Sequence, residues 1–126
     1  MARAYWEVKA VPRMDITQMP FEKLYSLLVN KAVKKGRTRE EVDQVTTWLT
    51  GYSPDDIARI EHSGISYGEF FQNAPTMNPA YVLITGKICG VRVEEIQDPI
   101  MRHIRCLDKL VDELARGKSM DQILRK

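Results

Sequence analysis

The sequence is short of the residues that usually announce chemistry. It has two cysteines, Cys89 and Cys106, and no CxxC pair, which argues against a disulfide framework and predicts a reducing, cytoplasmic setting. Lysine and arginine outnumber aspartate and glutamate by only 19 to 17, a net charge of +2, too small to argue for a nucleic-acid partner. No apolar run approaches the roughly 20 residues that cross a bilayer, so no membrane segment is expected. The N-terminal stretch MARAYWEVKAVPR has no apolar core followed by a small-residue cleavage site, so no secretory leader is predicted. There is no low-complexity linker either. The 126 residues are enough for one domain that buries a core without metal or disulfide staples.

What the sequence does have is helix punctuation. Pro20 suits a helix start, and Phe21, Leu24, Leu27, Leu28 and Ala32 recur at three-and-four spacing up to Gly36. Thr38-Arg39-Glu40-Glu41 is a capping box, opening a helix that carries Val42, Val45 and Leu49 to Gly51. Ser53-Pro54-Asp55-Asp56 starts a short helix with a cap, a preset φ and acids at its positive end. Ser66-Tyr67-Gly68-Glu69 is a second capping box. Asp98-Pro99 opens the longest helix, with Ile100, Ile104, Leu107, Leu110, Val111 and Leu114 as an apolar stripe, and Ser119 to Gln122 caps a last turn.

One stretch resists a helical reading. Residues 81–93, YVLITGKICGVRV, are rich in β-branched side chains, and Gly86-Lys87 fits the turn of a small hairpin. An internal repeat argues the other way. WLTGYSPDDI at 48–57 aligns with KICGVRVEEI at 87–96 at a constant offset, matching Gly51 to Gly90 and Asp55-Asp56-Ile57 to Glu94-Glu95-Ile96. If the first is a helix–glycine–helix joint, the second is expected to be one too, with residues 79–89 helical.

The expected fold is therefore all-α: two related helix–Gly–helix units plus a long C-terminal helix, with an α+β fold carrying a hairpin at 81–93 as the alternative. The division expected is an N-terminal extension or arm over residues 1–13 and a single helical domain over 14–126. Within it the repeat units fall at about 20–62 and 66–97, and the C-terminal helices at 98–126.

KAVKKGRTREEVDQVTTWLTGY, FFQNAPTMNP and ICGVRVEEIQDPIMRHIRCLDKLVDELARGKSMDQILRK together resemble the uncharacterised bacterial family catalogued as domain of unknown function 2200. The similarity runs from about Met14 onward. The resemblance implies a compact, mainly helical, cytoplasmic bacterial protein, and it supplies no catalytic residues.

Candidate chemistry is sparse. A P-loop needs a glycine five positions before its Gly-Lys and a Ser or Thr after it, and Gly86-Lys87 has Tyr81 and Ile88 there. His103 and Cys106 stand one helical turn apart, and His62 and Cys89 could complete a metal site, but zinc sites show short-spaced ligand pairs twice over. Cys89 as a nucleophile needs a base and a thiolate-stabilising setting. Its counterpart in the first unit is Thr50, which favours packing. Asp55-Asp56 and Glu94-Glu95 read as acids at helix starts. Lys31, Lys34, Lys35, Arg37 and Arg39 crowd the Gly36 turn and could bind phosphates, but Glu40, Glu41 and Asp43 offset them. No metal, cofactor or catalytic residue is assigned.

The reading is a small non-enzymatic interaction or adaptor protein with a protein partner or a second copy of itself, the apolar stripe from Ile100 to Leu114 offering an edge for the latter. Trp48, Tyr52 and Arg92 at the two joints are the candidate binding residues. Weak nucleic-acid binding through the basic turn is the alternative, and a small-molecule enzyme comes third.

Overall fold

A computed structural model describes residues 15–125; the expected arm over residues 1–13 lies outside them. Described in chain order, the α-helices are α1 (Phe21–Lys34), α2 (Arg39–Thr50), α3 (Pro54–Glu61), α4 (Tyr67–Gln72), α5 (Pro99–Ala115) and α6 (Met120–Ile123). Between α4 and α5 lies a hairpin of β1 (Lys87–Ile88) and β2 (Val91–Arg92), flanked by 3-10 turns at Pro79–Leu83 and Val93–Glu95.

The helix starts follow the side-chain chemistry of the sequence. Both halves of the Thr38/Glu41 capping box form, and so do those of Ser53/Asp56, Ser66/Glu69 and Ser119/Gln122. Each box satisfies two N–H groups that a helix start leaves unpaired. The entrances of α1 and α4 are tied to each other: the Phe21 N–H donates to the Ile65 carbonyl (3.0 Å) and the Tyr67 N–H to Met19 (2.8 Å). This brings an aromatic cluster together at the centre. Phe21 stacks on Phe70 with centroids 4.2 Å apart and on Tyr25 at 5.0 Å, and Tyr52 stacks on the far side of the cluster against Phe70 at 4.5 Å.

The long helix α5 is the spine. It packs most extensively on α1, then α2 and α4, and Ile104, Leu107, Leu110, Val111 and Leu114 are wholly buried. Its stripe is thus covered by the protein's own core. The C-terminal end of α5 is closed by charged side chains. Arg37 donates to the carbonyls of Leu114 (3.2 Å) and Lys118 (2.7 Å) while gripping Glu41. Arg125 meets the buried Glu113 with two bonds, 2.6 and 2.7 Å, the fork geometry that makes such pairs strong.

Gly51 ends α2 in the left-handed conformation (φ 84°). The chain then returns after α4 to finish the same helix end: the N–H groups of Thr76 and Asn78 donate to the carbonyls of Thr50 (3.1 Å) and Leu49 (2.8 Å), and the Asn78 amide to that of Trp48 (3.1 Å). A Cβ on Gly51 would stand 2.9 Å from the Thr76 backbone nitrogen.

The all-α expectation is corrected at residues 79–93. The fold is mostly helical with a small antiparallel hairpin, Lys87 facing Arg92 and Ile88 facing Val91. The hairpin turns at Cys89-Gly90, both with positive φ (53° and 79°), as type I′ turns require; it does not turn at Gly86-Lys87. Residues 79–89 form no α-helix, so the helix–Gly–helix joint seen at Gly51 does not recur at Gly90. The physical reason is local. Ile84, Ile88 and Val93 bury themselves in the core, a half-buried pleated surface suits β-branched side chains, and Arg92 provides no side-chain cap where Ser53 does.

Candidate functional site

A helix with one buried stripe places residues about 100° apart, so Tyr25 and Leu27 point to nearly opposite sides of α1. Tyr25 is wholly buried and Leu27 is 56% exposed. Val33, beside the buried Ala32, is likewise 52% exposed. Exposed apolar side chains therefore lie on α1, and also at Val82, Leu83 and Val91 around the hairpin, while α5 keeps its stripe inside.

Leu27 stands where two depressions meet. The first is a cleft of about 210 Å³ between α1, α5 and the hairpin tip, with Leu24, Leu27, Leu28, Ile16 and Ile88 as its apolar wall. Its polar lining is Lys31, Cys89, Arg105, Asp108 and Tyr67. The second, an open groove of about 450 Å³, continues along α1 past Asn30 and Val33 to Lys34 and Lys35. Two wider depressions elsewhere are edged by helix starts, one by Ser66, Glu69 and Asp98 and one by Glu94, Glu95 and Arg102.

The electrostatics of the cleft follow from burial. Arg105 donates to Asp108 at 2.9 Å, yet burial pushes the Asp108 carboxyl up from its usual range. Lys31 pairs with Asp112 at 3.2 Å and stays 42% exposed at the side chain. Tyr67 is 1% exposed and its hydroxyl has no hydrogen-bond partner among the described residues; burial and the Asp108 charge raise its phenol well above the ordinary value. An unpartnered buried hydroxyl is uncommon and costs stability. Cys89 is an exposed free thiol on the rim, in a left-handed conformation that is rare outside glycine.

The other candidates are dispersed. Cys106 is buried in α5, its thiol raised to about 12 by burial, which leaves it inert as a nucleophile. His103 lies edge-on against Tyr81 (4.8 Å between ring centroids), its pKa lowered by burial and then by Arg102. His62 sits exposed at the end of α3. Among the described residues no three or more His, Cys, Asp and Glu side chains converge as a metal site.

Of the basic run, Arg37 is engaged with Glu41 and the α5 carbonyls, and Arg39 with Asp43 (3.5 Å), Glu61 and the Tyr25 ring. Lys34 and Lys35 make no ion pair among the described residues. Asp56 and Glu94 hold backbone N–H groups, those of Ser53 (3.0 Å) and Gly86 (2.9 Å). Tyr52 is buried, with its hydroxyl donated to the Phe70 carbonyl at 2.7 Å. Trp48 packs half-buried on the core, and Arg92 is half exposed beside Glu94 at 3.3 Å. The polar lining of the cleft was missed from the sequence. The one available signal was the width of the apolar arc on α1, where Leu27 and Val33 fall off the face that Phe21, Tyr25 and Ala32 share.

Fold and surface define a small, mostly helical protein with one hydrophobic core and an apolar cleft beside a lysine-rich helix face. The chain belongs to the family described as "Uncharacterized protein conserved in bacteria (DUF2200)", whose pattern matches residues 15–125. It is also similar to a solved structure titled "Crystal structure of uncharacterized protein SP1917". The two chains are 49% identical with a TM-score of 0.84, over 88% of this chain and 93% of that one. No curated protein matches the chain. Among the described residues no helix is long and apolar enough to cross a membrane.

Proposed function

We propose that the protein is a non-enzymatic interaction module that docks a protein partner on the outer face of α1. The observation that carries this reading is Leu27, 56% exposed at the junction of two depressions, where burial on association would return about 2 kcal/mol. Two free cysteines, one exposed, support the cytoplasm as its compartment. One shared hydrophobic core supports reading residues 14–126 as a single domain. Arg92, on the hairpin whose tip rims the cleft, is carried in this proposal as a partner contact; Tyr52 and Trp48 serve the core. The engagement of Arg37 and Arg39 inside the fold weighs against nucleic acid.

The test uses light scattering and affinity capture on the parent and on Leu27→Glu. The expected result is a complex that the parent forms and the variant loses, with both proteins equally folded by circular dichroism. A strict monomer without partners, indistinguishable from the variant, ends the proposal.

A further inference from the structure

The chemistry of the partner can be read from what surrounds Leu27. The cleft, at about 210 Å³, is smaller than the roughly 300 Å³ at which small-molecule sites begin. It suits one large side chain, the kind of buried anchor that dominates protein interfaces. Tyr67 is one of its lining residues, and the buried Tyr67 hydroxyl has no hydrogen-bond partner among the described residues, so an anchor with a hydrogen-bonding tip fits better than a purely apolar one. Beyond the cleft the exposed charge of α1 is mostly basic. Lys23, Lys31 and Lys34 are exposed on α1 and Lys35 at its end; Lys31 pairs with Asp112, and Glu22 is the helix's one acid.

That charge decides among occupants. A second copy stacked by a two-fold axis through Leu27 would set Lys23 against Lys31 of its mate, since the two flank Leu27 at equal spacing, and like charges across an interface are costly. A lipid surface favours a continuous protruding apolar face, whereas here the apolar wall is recessed beneath Leu27. We propose that this face docks an acidic amphipathic helix of a partner protein, a tyrosine-like anchor entering the cleft and carboxylates meeting Lys34 and Lys35. Leu27 and Lys34 are ~10 Å apart along α1, so the acids belong about two turns from the anchor. This rests on the interaction-module reading and adds the partner's chemistry to it.

The test is fluorescence anisotropy of the full-length protein with a fluorescein-labelled helical peptide carrying one tyrosine and glutamates two turns away. Counterparts carry lysine for glutamate or alanine for tyrosine. Saturable binding is expected, falling at least about tenfold with either counterpart, with Leu27→Glu, and with Lys34→Glu and Lys35→Glu combined, and weakening with salt. These positions are exposed, and circular dichroism checks that the variants keep their fold. Equal binding of the glutamate and lysine peptides, or parent-like binding by the variants, overturns the proposal. Co-sedimentation with phosphatidylserine vesicles without peptide binding assigns the face to lipid and overturns it too. A Leu27-dependent dimer without peptide binding overturns the acidic partner while the interaction-module reading survives. A benzophenone side chain at position 27 that crosslinks to residues 1–13 of its own chain overturns it in favour of self-docking. No binding of any kind, with Leu27→Glu silent, removes both readings.

Discussion

Residues 48–57 and 87–96 share a spacing of glycine, apolar residue and paired acids, and the protein builds different things from them. In the first, Gly51 ends a helix of three turns and Ser53 starts the next. In the second, Gly90 is half of a hairpin turn, and the chain passes into a 3-10 turn before α5. The acids diverge as well. Asp56 holds the N–H of Ser53, three residues back within one helix start, whereas Glu94 reaches the N–H of Gly86 across the hairpin. Both glycines have positive φ, so the shared letter marks a shared conformation. What surrounds it sets the element: the capping box at Thr38 opens a helix that runs unbroken to Gly51, whereas Gly86 interrupts the stretch ahead of Gly90.

The largest expected difference between the regions is at the glycines themselves. Gly51→Ala places a methyl 2.9 Å from the Thr76 backbone in a left-handed residue. It is expected to cost about 3 kcal/mol, combining the conformational penalty with overpacking. Gly90→Ala meets nothing within 4 Å and carries the conformational penalty alone, about 1 kcal/mol. Urea unfolding midpoints at unchanged slope measure both. Equal losses would mean that the return of residues 76–78 onto α2 is not what makes Gly51 tight.

Next come the residues that follow each glycine. Ser53→Ala removes one half of a capping box and is expected to cost about 1 kcal/mol. Arg92→Ser removes a half-exposed ion pair and should change stability by less than about 0.5 kcal/mol. A larger loss at Arg92 than at Ser53 would invert the comparison.

The same contrast explains what could be read from the sequence. The capping boxes at Thr38 and Ser66, the cap at Ser53 and the stripe of α5 were legible because each rests on residues a few positions apart. The hairpin was not, because its stability comes from Ile84, Ile88 and Val93 burying themselves in a core whose far side was unknown. The β-branched residues of 81–93 do point to a hairpin, but with its turn misplaced at Gly86-Lys87, and the pattern shared with residues 48–57 points to a helix instead. The cleft was out of reach for a similar reason. Tyr67, Cys89 and Asp108 meet only through tertiary packing, while Leu27 shares the three-and-four spacing of α1, and spacing alone does not fix how wide a buried face is.

A pH titration sharpens the comparison of the acids. Hydrogen bonding from the Ser53 N–H, then its side chain, holds Asp56 below the usual carboxylate range, and the Gly86 N–H does the same for Glu94. Because the folded value is the lower one, each contribution is present above the unfolded pKa and is lost as pH falls through the folded pKa. The loss is expected below about pH 4. Carboxyl-carbon NMR titration should find both acids low. An ordinary value for Glu94 beside a low Asp56 would show that the bond across the hairpin does not form in solution.

One further expected effect has the opposite sign. Cys89 occupies the first central position of the hairpin turn at φ 53° with Gly90 following. Left-handed backbone strains most side chains, and asparagine tolerates it because its short amide can bond locally. Asn-Gly is also the favoured pair in a type I′ turn. Cys89→Asn should therefore stabilise the protein by about 0.5 kcal/mol, seen as a higher unfolding midpoint. Thr50, the matching position beside Gly51, is a wholly buried helical residue whose hydroxyl bonds the Thr46 carbonyl at 2.7 Å, and there the same asparagine should destabilise. A loss of stability at Cys89 would show that the thiol makes a contact in the cleft worth more than the strain of its turn.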